Sequence, residues 1–324
     1  MNQELFLSGW RYRVLIGSVV CSALAYLVAS LWGGWSAVSG AMSRVGWLIA
    51  AQIGVLILTG YGLRFLRWQT YLYALGHSLP WRPSLKIYLA GFALTTTPGK
   101  AGEALRGVLL KRWGVPYANG FAALVSERLS DLLAMVLLAL FGLSDHPEWL
   151  SIIVVSLVLV ICGFLLVSRQ ELTDLVEQRI SRGRGWTSRV LRSVIQVLLQ
   201  SRRCHTSRRL IGTTLLSLLA WSLEVLAFYW ILSAMGLDVP LIFTMFVYAV
   251  SMLAGALSFM PGGLGSAEAV MVALLVSSDV ALPDAIAATV LLRLVTLWFA
   301  VGLGAAVLVR IKNKPAFTVN TLDD

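Results

Sequence analysis

Two short stretches place ionisable groups beside Pro-Gly breaks in otherwise apolar sequence. PGKAGEALR, at 98–106, holds Lys100, Glu103 and Arg106, and PGGLGSAEA, at 261–269, holds Gly262, Gly263, Gly265 and Glu268. Further along each half come Glu127, Arg128 and Asp131 in SERLSD, and Arg293 in LLRL; Glu224 stands alone in a long apolar run. Arginine offers a planar, two-pronged donor suited to phosphate oxygens. A helix restarting after a break offers free amides and the positive end of its dipole to a phosphate or carboxylate. Glycines let a ligand approach the backbone closely, and glutamates can carry protons. The alternative chemistry is structural: buried ion pairs that fix helix register.

The elements that must position these groups are membrane helices. Of the 324 residues 58% are hydrophobic and 13% charged, with a mean hydropathy of +0.80, which excludes an ordinary soluble domain. Runs near the roughly twenty residues that cross a bilayer occur at 14–32, 46–63, 149–167 and 210–235, with two charge-bearing runs at 118–142 and 284–309. The first, behind Arg11 and Arg13, is too long for a signal-peptide core and reads as an uncleaved anchor. Cys21, Cys162 and Cys204 form no disulfide or metal pattern, and His77, His146 and His205 form no zinc motif. With no Walker lysine loop or dinucleotide glycine fingerprint, neither a primary ATP-driven pump on this chain alone nor a cofactor is expected.

The net charge of +10 does not indicate nucleic acid, because the bases alternate between loops as the positive-inside rule requires. One side collects Arg11 and Arg13; Arg64, Arg67, Arg82 and Lys86; Lys111 and Arg112; ten arginines between 169 and 209; and Arg310, Lys312 and Lys314. Both termini are predicted to be cytoplasmic, in a cell inner membrane. The loop at 168–209 is predicted to hold an amphipathic basic helix over its 186–203 half, lying on anionic lipid.

The two break sequences belong to an internal repeat. PGKAGEA returns as PGGLGSAEA with two inserted residues, Ala74-Leu75-Gly76 and Pro80 correspond to Ala234-Met235-Gly236 and Pro240, and Glu103–Arg128 and Glu268–Arg293 share a spacing of 25. The expected architecture is an all-α polytopic membrane protein, 1–324, with a first repeat at 14–142 and an inverted second at 149–309. It has about six full spans and two Pro-Gly-broken re-entrant hairpins. An odd number of crossings per half inverts the second copy, a transporter architecture that holds substrate where the breaks meet. Non-helical backbone at that depth requires protein or a wet cavity around it, so an interior cavity is expected. A charge there costs about 2.5 to 3.5 kcal/mol even on lenient scales, which favours function for Lys100, Glu103, Arg106, Glu127, Arg128, Asp131, Glu224, Glu268 and Arg293. Arg293 has no local acid, leaving Glu268, Glu224 or a bound anion as its partner.

GEALR at 102–106, ERLSD at 127–131, PGGLGSAE at 261–268 and the arginine of LLRL resemble the flippase-like transmembrane domain of lysylphosphatidylglycerol synthases, over roughly 80–310. The resemblance implies translocation of a lipid with a polar or charged headgroup: an aminoacyl-phospholipid, a polyprenyl-phosphate sugar or a hopanoid. It implies no enzyme, since the chain has no room for the soluble synthase domain. The alternative is a lipid-binding, non-transporting partner of a separate glycosyltransferase or lipid synthase.

Overall fold

A computed structural model describes residues 17, 35–97, 101–143, 147–168, 186–258 and 260–312. The chain is an all-α membrane protein, and no strand occurs among the described residues. The expected first span at 14–32 and the first part of the basic loop, 169–185, lie outside them.

Helix α1, Trp35–Ala74, turns sharply at Gly46 (φ 65°, ψ 167°), a left-handed φ that favours glycine. It is followed by α2, Trp81–Ala90, which tightens into a 3₁₀ turn at Gly91–Leu94, and by α3, Ala101–Lys111. Next come α4, Tyr117–Ala139, α5, Leu150–Ser168, and the basic helix α6, Trp186–Cys204. The chain continues through α7, Ser207–Ala234, α8, Leu241–Leu257, α9, Ser266–Ser277, and α10, Leu282–Arg293. It ends in a π-helical turn at Leu294–Trp298 and α11, Phe299–Lys312.

Four segments are long and apolar enough to cross a membrane: Ser36–Ala74, Pro147–Val167, Ser207–Ala234 and Leu282–Ile311. Helix α4, with 23 residues, has the length but carries Glu127, Arg128 and Asp131. By contrast, α3 and α9 rise only about 17 and 18 Å at 1.5 Å per residue, short of the roughly 30 Å hydrocarbon core. Each is a short helix that restarts after an interruption, Ala101–Lys111 following the turn that ends α2 and Ser266–Ser277 following Pro261–Gly263. Helix α5 exposes Val154, Val155, Val158, Leu159, Ile161, Leu165 and Leu166, a surface suited to acyl chains. Trp47 near one end of α1 and Tyr73 at the other are 81% and 73% exposed, where amphipathic rings sit at the two interfaces.

The matched sequence segments fold into matched turns. After α1, the amides of Leu75, Gly76 and His77 bond the carbonyls of Tyr71, Tyr73 and Leu72. After α7, those of Met235, Gly236 and Leu237 bond Ile231, Ser233 and Leu232. Gly76 and Gly236 both have positive φ, 83° and 78°, as a helix-ending glycine requires. The turn from α3 to α4 and that from α9 to α10 are also built alike: Gly114 and Asp279 hold the positive φ, while Val115 and Val280 bond the carbonyls of Leu110 and Leu275.

The basic helix α6 corrects one emphasis of the sequence reading. Its amphipathicity is there, but Ile195, Ser201 and Cys204 are buried, and the Ser201 hydroxyl donates to the Ala122 carbonyl of α4 at 3.4 Å. Protein takes the inner face, while Arg192, Val194, Arg202 and Arg203 remain exposed.

Candidate functional site

Helix α1 is the keel of the site. Its 46–63 apolar run continues as helix to Ala74, so Arg64 and Arg67 are not loop bases as their place in the charge pattern indicated. Arg67 is 1% exposed and sits between two acids of α4: Nη1 reaches Asp131 Oδ1 at 2.6 Å, Nη2 reaches Oδ2 at 3.2 Å, and Glu127 lies 3.9 Å away. Ser217 of α7 accepts a further hydrogen bond from Arg67, and Trp221 Nε1 donates to Asp131 at 2.9 Å. Arg64, one turn earlier, pairs with Glu224 of α7 at 2.5 Å and lies over the Trp221 ring. The second Glu224 oxygen accepts from the Tyr248 hydroxyl of α8.

From the first hairpin, Arg106 of α3 reaches Glu127 at 2.9 Å. Its guanidinium lies 4.4 Å from the Tyr88 ring centroid, and its stem fills the space beside Gly91, where a Cβ would collide with it. The arms also close on each other through Gly102, where a Cβ would overlap the Gly91 carbonyl. These glycines are therefore packing surfaces.

In the second hairpin, Arg293 Nε donates to Glu268 Oε1 at 2.6 Å and Nη2 to the Gly262 carbonyl at 2.8 Å. Glu268 Oε2 accepts the Gly265 amide at 2.7 Å, so the N3 glutamate caps the start of α9 from its own side chain. Gly262, Gly263 and Gly265 all hold positive φ. The ion pair thus ties two backbone groups of the break, the Gly262 carbonyl and the Gly265 amide, to α10. The two breaks approach each other, since a Cβ on Gly262 would lie 3.7 Å from the Thr95 carbonyl. The Thr96 hydroxyl, on the same turn, is buried without a hydrogen-bond partner.

Of the residues singled out by sequence, the structure gathers Arg106, Glu127, Asp131 and Glu224 in one network and Gly262, Gly265, Glu268 and Arg293 in another; Gly263 packs against Gly255 beside the latter. Arg128 lies at the edge of the first network. Its side chain is 47% exposed and reaches Asp131 only at 3.7 Å, because Glu127 and Asp131, four apart, take the inner face. Lys100 lies outside the described residues, as does the Glu103 side chain. Sequence reasoning missed Arg64, Arg67, Trp221 and Tyr248. The signal for the arginines was Tyr61, Phe65, Trp68, Tyr71 and Leu72 at helical spacing around them.

Residues at matched distances from Gly76 and Gly236 contact one another. Arg64 and Glu224 each precede their matched glycines, Gly76 and Gly236, by 12 residues, and they pair with each other. Gly60 and Ala220, 16 before the same glycines, also meet, a Cβ on Gly60 lying 3.4 Å from the Ala220 carbonyl. Tyr61 bonds the Thr296 carbonyl at 2.8 Å, and its counterpart Trp221 bonds Asp131. Asp131 and Thr296 in turn lie three residues after the matched arginines 128 and 293.

Residues 10–304 match the family described as the lysylphosphatidylglycerol synthase TM region. Two UPF0104 membrane proteins of Methanothermobacter thermautotrophicus are 23% and 28% identical to the chain, over 90% and 88% of it and 93% and 90% of their own lengths. The glycosyltransferase AglD of Haloferax volcanii is 23% identical, over 83% of this chain and 51% of its own. With nearly all of its described helices inside the matched region, the chain belongs to the lysylphosphatidylglycerol synthase TM region family.

Proposed function

We propose that the protein moves a lipid with a polar or charged headgroup across the cytoplasmic membrane. The observation that carries this is the meeting of two broken hairpins, each tied to the next helix by an arginine–carboxylate pair: Arg106–Glu127 in one, Glu268–Arg293 in the other. Buried ion pairs can often be replaced by apolar side chains without loss of stability, so a scaffold alone has little need of them. A headgroup phosphate competes with Glu268 for Arg293, or with Glu127 for Arg106, while the acyl chains stay in the bilayer. Release of a glutamate from its arginine frees it to take a proton, which would couple the step to the proton gradient.

The reciprocal contacts support a pseudo-two-fold axis between α1 and α7, near Arg64 and Glu224. It relates a first repeat within 14–142 to an inverted second within 149–309, each hairpin facing its own side. The base-rich ends, with both termini, then face the cytoplasm of an inner membrane, and the basic segment at 168–209 meets anionic lipid there.

Reconstitution into liposomes tests transport. Arg293→Lys keeps the charge but loses the fork, and translocation of a fluorescent lysylphosphatidylglycerol or a polyprenyl-phosphate sugar should fall sharply while the protein stays folded. Full transport by a Glu268→Gln/Arg293→Gln variant would refute the assignment and leave the pair as a structural clamp. A second reading, as partner of a glycosyltransferase or lipid synthase, is favoured by the similarity to a region of a protein named as a glycosyltransferase. In that case the wild-type protein translocates nothing and co-purifies with such an enzyme.

A further inference from the structure

At the base-rich rim of the first hairpin, α2, α3 and α11 line a shallow, half-open groove formed by Pro83, Lys86, Ile87, Leu109, Arg112, Trp113 and Ile311. Two features make its chemistry specific. The wall is apolar, with Ile87 and Leu109 themselves buried, whereas Lys86 and Arg112 are exposed on the lip. The groove also straddles a boundary: the apolar span Leu282–Ile311 ends at Ile311, beside the exposed Arg310. Hydrocarbon therefore gives way to headgroups at this depth.

We infer that the groove binds one anionic phospholipid of the leaflet. Its phosphate lies between Lys86 and Arg112, and one acyl chain runs along Ile87, Leu109, Trp113 and Ile311. A free phosphate would use the two cations and leave the apolar wall bare; a zwitterionic lipid would bring its own cation to a lip that already has two. The phospholipid satisfies both parts of the site. It bridges the foot of the first hairpin to α11, the helix whose Gly304 packs directly on that hairpin at Ala93 and Leu89. The same helix α3 carries Arg106 two turns deeper, so the bound lipid holds the element that presents this arginine to Glu127. The site does not depend on transport: it would exist equally in a partner protein.

Native mass spectrometry of the whole protein, titrated with phosphatidylglycerol or phosphatidylcholine, tests the inference. Wild type should retain one phosphatidylglycerol more tightly than any phosphatidylcholine. Lys86→Gln/Arg112→Gln changes only exposed side chains and should weaken that lipid about thirtyfold, from the contribution of two surface bases. Arg202→Gln/Arg203→Gln on α6 removes the same charge elsewhere and should leave it bound. Equal weakening in both variants, or none in the first, would overturn the site. Displacement of the lipid by millimolar inorganic phosphate would overturn it too, as the mark of a simple ion site.

Discussion

If α1 and α7 are related by a two-fold axis, the Arg64–Glu224 pair can be turned around. In Arg64→Glu/Glu224→Arg, the new arginine would lie over Tyr61, which holds the place of Trp221, and the new glutamate would accept from Tyr88, which stands 12 residues after Gly76 as Tyr248 stands 12 after Gly236. The native side chains are 12% and 5% exposed, so the pair is effectively buried. Each single swap sets like charges face to face and should cost at least the 3–5 kcal/mol typical of breaking such a pair, roughly. The double swap should return to within about 1.5 kcal/mol of wild type, and the cycle of four proteins isolates the coupling. Thermal unfolding in detergent, followed by tryptophan fluorescence, ranks them. The tyrosines give a sharper test. A hydrogen bond to a charged group is worth about 1.5–3 kcal/mol, so Tyr248→Phe should be the costly change in the native background and Tyr88→Phe in the swapped one. A double swap no more stable than the worse single, or a cost that stays with Tyr248, would refute the axis.

The close-packed glycines give a second prediction: Gly102→Ala and Gly304→Ala should each destabilise the protein by about 1–3 kcal/mol through overpacking, read from thermal midpoints, whereas Gly302→Ala, which meets nothing within 4 Å, should not. Orientation gives a third. A cysteine at Ser43, exposed on α1 before the Gly46 turn, should react with an impermeant maleimide applied from outside intact cells, and one at Ser207 should not; the opposite pattern would reverse the topology.

The interruptions before Ala101 and Ser266 were legible in the sequence, because Pro-Gly and a glycine run break helices in ways few other residues do. The partner of Arg293 was legible only as a choice among Glu268, Glu224 and a bound anion, and the fold brings Glu268 to it. The inner network was much less so. Arg64 and Arg67 follow the end of an apolar run and look like loop bases, and what buries them is Asp131, Glu127 and Glu224, which lie 60 or more residues away in sequence. No local rule measures that distance. The Arg106–Glu127 pair was not legible either, since its partners lie 21 residues apart on two helices.

The buried network has one further consequence, for the membrane potential. Among the described residues, Arg64, Arg67, Arg106 and Arg293 are balanced by Glu127, Asp131, Glu224 and Glu268. Moving one elementary charge through the full field changes its energy by about 2.3 kcal/mol per 100 mV, but a core that shifts as a neutral whole carries no gating charge. Voltage would act on such a protein only through what it holds, so an electrogenic step would report the charge of the cargo together with any proton that accompanies it.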